Sequence, residues 1–236
     1  MADHNRPGDS ATSIQHVVWD WNGTLFADVE ISWLTINVVL TEFGLPVIPD
    51  LPTYRRTFTF PIRTYYERIG LGEETGLFEV AAHRFIEEYH SRVAGVPLRA
   101  GAIEALMEIR RRGLSQTILS ASRQDLLVAQ VAPFAVAQYC TAILGISDIY
   151  AHSKEDVARR WMTTLSKQGL APQQVLFVGD TAHDVDVATT VGARVAVVAE
   201  GHLHAEVADK LGVPVLTDLR EISGVLDGDM DSGHAG

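Results

Sequence analysis

Val18-Trp19-Asp20-Trp21-Asn22-Gly23-Thr24-Leu25 decides the reading of this chain. His16, Val17, Val18 and Trp19 form a short β-prone run that stops at a carboxylate, Asp20. Asn22-Gly23-Thr24 follows at once with turn chemistry, because Asn and Gly tolerate the left-handed backbone that a tight turn needs. A strand that ends on a reactive side chain and then turns sharply is how a parallel sheet presents chemistry at its carboxyl edge.

Outward from this segment, β-prone runs recur at 115–120, 142–146, 175–179, 194–199 and 214–217. Helical patterns separate them. Residues 102–112 carry Ile103, Leu106, Met107 and Ile109 on one face before Gly113, and 125–131, 156–168 and 183–191 read similarly. Strands alternating with helices predict βαβ units, hence an α/β protein with a Rossmann-like, mostly parallel sheet flanked by helices. Residues 29–92 break the alternation. Ile31, Leu34, Val38, Val39 and Phe43 make one helical stripe; Leu77, Ala81 and Phe85, with Phe78, Ala82, Ile86 and Tyr89, make another. The expectation is a small all-helical cap inserted after the first strand. The chain divides into a disordered lead (1–13), an α/β core (14–28 and 94–227), the cap (29–93) and a disordered tail (228–236).

The 236 residues suffice for such a core with a smaller inserted unit. A formal net charge of −11 argues against nucleic acid, which needs a basic tracking surface. No apolar run approaches the ~18 residues of a membrane span, and the first 13 residues carry no secretory apolar run. Cys140 is the only cysteine, so no intrachain disulfide forms, and its neighbours Ala137, Tyr139, Ala142 and Ile143 read it as packing. The expectation is a cytoplasmic monomer or homodimer acting on a small molecule.

Four segments bring reactive groups to strand ends: Asp20; Ser120 with Ala121; Lys154 in His152-Ser153-Lys154-Glu155-Asp156; and Gly179-Asp180-Thr181-Ala182-His183-Asp184. Three carboxylates together repel unless a hard cation sits among them, and Mg²⁺ takes oxygen ligands of this kind. Asp20 is then the candidate nucleophile on phosphorus. Gly23, Thr24, Ser120 and Ala121 are candidate phosphate-binding positions, and Lys154 supplies positive charge for the transition state. Asp20, Asn22, Asp180 and Asp184 are the candidate metal positions.

These four segments, in this order and with helices inserted after the first, resemble the haloacid dehalogenase-like hydrolase superfamily, in its phosphoglycolate phosphatase-like subclass. The resemblance covers about residues 17–219. It implies Asp20 as an aspartyl-phosphate nucleophile, Ser120 as a phosphate ligand, Lys154 as charge stabiliser, and Asp180 and Asp184 as acidic groups toward Mg²⁺. It also implies the Asn22 backbone carbonyl as a metal ligand. Most phosphatases of this family carry an Asp where this chain has Asn22. That Asp protonates the leaving alcohol and later activates water, and an amide does neither.

Four explanations stand: a slow enzyme or a substrate with a good leaving group, such as an acyl phosphate; a substitute group, with His183 nearest in sequence; a phosphate-binding or phosphotransfer protein with little hydrolysis; or carbon–phosphorus hydrolysis. The last needs a cap lysine, and no lysine precedes Lys154. The cap segment 54–66 is the expected substrate-selecting surface, with Arg55 and Arg63 as candidate ligands for a second anionic group, against the alternative that they are solvated charges and the aromatics are cap core. His202 and His204 have metal-like spacing without further ligands and read as loop histidines.

Overall fold

The first strand, β1 (His16–Trp19), is buried at every position, with Val17 and Trp19 on one face and Val18 on the other. A strand apolar on both faces needs cover on both, which βαβ connections supply. The computed structural model describes residues 13–147 and 154–228, so most of the expected lead and tail lies outside the described residues. The strands β1, β2 (Ser115–Arg123), β3 (Ala142–Ile146), β4 (Val175–Gly179), β5 (Arg194–Val198) and β6 (Val215–Leu216) form one sheet, all parallel, in the order β3-β2-β1-β4-β5-β6.

Helices α1 (Val29–Glu42), α2 (Leu51–Thr57), α3 (Ile62–Arg68) and α4 (Phe78–Arg92) lie between β1 and the rest of the sheet unit. The sheet is flanked by α5 (Ala102–Arg111), α6 (Gln124–Val131), α7 (Lys154–Lys167), α8 (Ala182–Thr190), α9 (Ala205–Ala208) and α10 (Ile222–Asp227). Ile118, Leu176 and Val178 pack with α5, α6 and α10 on one face. Leu119, Val175 and Phe177 pack with Val157, Met162 and Leu165 of α7 and Val187 of α8 on the other. A third apolar cluster, including Ile36, Leu40, Tyr54, Tyr66, Leu71 and Phe78, belongs to the inserted segment alone.

Strand order reverses at β1, which lies between β2 and β4, and this is where an open α/β sheet leaves a crevice at its carboxyl edge. Trp19 pairs with Ile118 and with Val178, so Asp20, Ser120 and Asp180 come to one edge within a residue of level.

Three expectations change. The strand at 115–120 runs on to Arg123, with a bulge in its pairing to β3 between Leu119 and Arg123; bulges re-aim side chains at sheet rims. Lys154 opens α7 instead of ending a strand; its upstream neighbours His152 and Ser153 lie outside the described residues. The α1 stripe is rotated: Val29, Ser32, Thr35, Ile36, Val39 and Leu40 are buried, while Leu34 is exposed and Val38 only half-buried. Apolar and polar residues are interspersed around that helix, so its own periodicity selects no face, and packing against α4 does.

Candidate active site

The turn after β1 places the first carboxylate. Asp20 N donates to the Val178 carbonyl at 2.8 Å, extending the pairing with β4 by one residue. The amides of Thr24, Leu25 and Phe26 then all donate to the Trp21 carbonyl, folding the chain back on itself. Gly23 sits at φ +72°, and a Cβ there would fall on the Asp180 carboxylate, so glycine is required. Trp21 anchors the turn, stacked on Phe26 and donating to Gln130 Oε1 at 3.0 Å.

Asp20, Asp180 and Asp184 each offer a carboxylate oxygen, and these oxygens lie within 4.8 Å of one another in a buried cluster. Lys154 Nζ donates to Asp20 Oδ1 and to Asp184 Oδ1, both at 2.6 Å. The other oxygen of Asp184 accepts from Thr181 Oγ1 at 2.6 Å and Thr181 N at 3.0 Å, closing a capping box at the start of α8. Asp180 Oδ2 accepts from His202 N at 2.5 Å and faces His202 Nδ1 at 2.9 Å. Thr24 Oγ1 lies 3.3 Å from both Asp20 Oδ2 and Asp180 Oδ1, tying the two acids together.

The electrostatics show how crowded the cluster is. Burial lifts Asp20 to about 7, with the Asp184 and Asp180 charges adding to it against the pull of Lys154. Burial also works to raise Asp184, but Lys154 and Thr181 hold it below the usual carboxylate range. Lys154 is buried yet raised, because Asp184 and Asp20 outweigh its desolvation. Burial works to lower His202, and the attraction of Asp180 raises it. Three buried carboxylates against one lysine form an all-oxygen donor set with uncompensated negative charge, which fits a hard divalent cation such as Mg²⁺.

The Asn22 amide is fully engaged. Nδ2 donates to Asp28 Oδ2 at 2.8 Å and to Tyr89 Oη at 2.9 Å, and Oδ1 accepts from Ser122 Oγ at 2.8 Å. Asp28 is buried, accepting also from Gly23 N at 2.7 Å and in a short hydrogen bond from Tyr89 Oη. Asn22 thus ties the turn after β1 to the end of β2 and to α4.

A cavity of about 190 Å³ opens above these groups, lined by Asp20, Asn22, Ser120, Ala121, Lys154, Asp180 and Asp184, and on the far side by aromatic side chains of 54–89. Gly23 and Thr24, expected as phosphate ligands, do not line it. The Gly23 amide is held by Phe26 O and Asp28, and the Thr24 hydroxyl by the two acids. Arg55 and Arg63 do not line it either. Arg55 donates to the carbonyls of Gly201 at 2.9 Å and Glu200 at 2.7 Å, and Arg63 pairs with Glu73 and lies over the Phe78 ring. His183 does not line it either; it stacks on Phe60, with burial lowering its pKa.

Asp28, Tyr89, Ser122, His202 and Arg99, which donates to Gly23 O at 2.7 Å and to Ala199 O, were not legible as site residues. Asp28 left a signal, an acid eight residues after the nucleophile position and just before a helix; so did His202, expected as a loop histidine, which the fold buries against Asp180 in the cavity lining.

The sequence profile described as haloacid dehalogenase-like hydrolase matches residues 17–198. Phosphoglycolate phosphatase 1 of Pseudomonas aeruginosa is 25% identical over 215 residues, covering 87% of this chain and 77% of that protein. Tyrosine-protein kinase PtkA of Mycobacterium tuberculosis is 27% identical over 227 residues, covering 93% and 75%. In fold, the haloacid dehalogenase-like family protein SP0104 of Streptococcus pneumoniae superposes with a TM-score of 0.75 at 21% identity, over 91% of this chain and 99% of that one. With the profile spanning more than half of the residues, and the carboxylate cluster at the carboxyl edge of the parallel sheet, the chain belongs to the haloacid dehalogenase-like hydrolase family.

Proposed function

We propose that this chain is a Mg²⁺-dependent phosphatase that hydrolyses a small phosphate monoester through an aspartyl-phosphate on Asp20. The single observation that carries the reading is the meeting of Asp20, Asp180, Asp184 and Lys154 at one buried point, beside a cavity large enough for a small ester. Asp20, Asp180 and Asp184 would hold the cation, which when bound offsets the repulsion between carboxylates and a phosphoryl dianion. Similarity to phosphoglycolate phosphatases supports the same reaction class.

The residues divide the work. An oxygen of Asp20 attacks phosphorus, forming an O–P bond as the ester P–O bond breaks and the leaving oxygen takes the electron pair. Ser120 and Lys154 line the cavity where the phosphoryl oxygens would sit and donate to them. Water then attacks the phosphoenzyme and regenerates the Asp20 carboxylate. Asn22 transfers no proton in either step; it holds the turn, the end of β2 and α4 in register.

Phosphate release with Mg²⁺ from a panel of monoesters tests the reading: Asp20→Asn is expected to lose at least ~10³-fold in kcat, and activity surviving that change would end the nucleophile assignment. A second reading, transfer of the phosphoryl group to another acceptor, is favoured by the lack of an acid–base group at Asn22. It predicts a phosphoenzyme that persists in water and discharges on adding an acceptor alcohol.

A further inference from the structure

We infer that the leaving group is an uncharged aromatic alcohol, so that the substrates are aryl phosphate monoesters; this rests on the phosphatase reading and narrows it. The cavity wall facing the carboxylates is built from Phe58, Phe60, Tyr65, Phe78, Phe85 and Tyr89. Aromatic rings pack well against a flat aromatic leaving group in edge or offset geometry. A volume of about 190 Å³ holds little more than a phosphoryl group and one ring, given that an apolar cavity of ~150 Å³ takes up benzene.

Charge points the same way. Among the described residues, the basic side chains in the lining are Lys154 and His202, each already held by a carboxylate. The cap arginines nearest in sequence, Arg55, Arg56 and Arg63, stay out of the lining: Arg55 is bound to backbone carbonyls, Arg63 to Glu73, and Arg56 is exposed. A substrate with a second anionic group would leave it unpaired among rings, beside the buried carboxylate of Asp28. Tyr65 adds a neutral polar anchor: it is 2% exposed, belongs to the lining, and its hydroxyl has no hydrogen-bond partner among the described residues.

The reaction accepts such a substrate without an acid at Asn22. As the Asp20 O–P bond forms and the aryl P–O bond breaks, the aryl oxygen departs with the electron pair as aryloxide and takes a proton from water. A phenol hydroxyl titrates near ~10, whereas aliphatic alcohols resemble water, at ~15.7, and need a proton donor in the transition state. The ring-lined cavity and the amide at Asn22 are independent features that select one leaving group.

The test compares kcat/KM, at saturating Mg²⁺, for phenyl phosphate, benzyl phosphate, acetyl phosphate and phosphoglycolate. Phenyl phosphate combines ring and good leaving group; benzyl phosphate has only the ring, acetyl phosphate only the leaving group, and phosphoglycolate has neither. Phenyl phosphate is expected to exceed benzyl phosphate and acetyl phosphate by ~10-fold or more, and phosphoglycolate by ~10²-fold. Calorimetry supplies a readout without turnover: phenylphosphonate is expected to bind at least ~10-fold tighter than phosphonoacetate. Ala82→Leu, which narrows the cavity, is expected to lower the phenyl-to-acetyl selectivity ratio by roughly 10-fold. Release from phosphoglycolate or acetyl phosphate without preference for phenyl phosphate, or tighter phosphonoacetate binding, overturns the inference and leaves the phosphatase reading standing. No release from any of the four compounds overturns both.

Discussion

At the scale of single residues, Asn22 departs most from its family's pattern, and its hydrogen bonds explain how the protein accommodates it. Its Nδ2 donates to a buried carboxylate, Asp28, so a carboxylate at position 22 would face a carboxylate. Asn22→Asp alone is therefore expected to destabilise the fold by ~1–3 kcal/mol, the usual penalty for a buried hydrogen bond broken on one side, and to give no gain on alkyl phosphates. Pairing it with Asp28→Asn restores one donor opposite one acceptor. The double variant is expected to recover most of the stability and to gain ~10²-fold on benzyl phosphate, as general acid–base help returns. Chemical denaturation of both variants, with kcat on benzyl phosphate, checks both parts; an Asn22→Asp protein as stable as wild type would show that the Asp28 contact does not matter.

At the scale of elements, β1 carries more than the nucleophile position. His16 is buried at its start, facing Ser115 Oγ through Nδ1 at 2.6 Å and accepting from Trp161 Nε1 of α7 at 3.3 Å. Burial lowers its pKa from 6.5 to about 4. The unfolded chain therefore binds a proton at His16 that the folded chain refuses between those values. Stability from this group is complete above pH ~6.5 and is lost as pH falls toward ~4, by at most roughly 3 kcal/mol. The melting temperature of wild type is expected to drop between pH 7 and pH 5, and His16→Gln to flatten that drop; parallel profiles would remove His16 as the cause. Ends of other elements serve the site as well: the capping box of α8 uses Asp184, so one side chain both starts a helix and joins the carboxylate cluster.

At the scale of the whole molecule, inserted helices and sheet unit meet over the site. Phe58 packs on His202 and Phe60 on His183, with ring centroids 4.8 and 4.7 Å apart, and Arg55 bonds to the backbone after β5. Arg55→Ala is expected to raise KM by ~5–30-fold, the equivalent of 1–2 kcal/mol, with faster amide exchange across α2 and α3 and little change in folded content. Because the carboxylates come from the β1 and β4 ends, a cation held by them links distant chain segments. At 100 times its dissociation constant Mg²⁺ is expected to add ~2.7 kcal/mol, or roughly 5–10 °C in melting temperature. Asp180→Ala should abolish that shift, which differential scanning calorimetry with and without Mg²⁺ measures. The sequence alone determined the alternation of strands and helices, the insertion after β1 and the placing of Asp20, Asp180 and Asp184, because periodicity and turn chemistry are local and each acid follows a strand or opens a helix. Only the tertiary structure decided that Gly23 and Thr24 brace the turn from behind, that Arg55 and Arg63 turn away from the cavity, and that Asp28, Tyr89 and His202 surround it. Those outcomes depend on which partner each polar group meets in space, from Asp28 five residues from Gly23 to Asp180, 156 residues from Thr24, and hydrophobic periodicity does not carry that information.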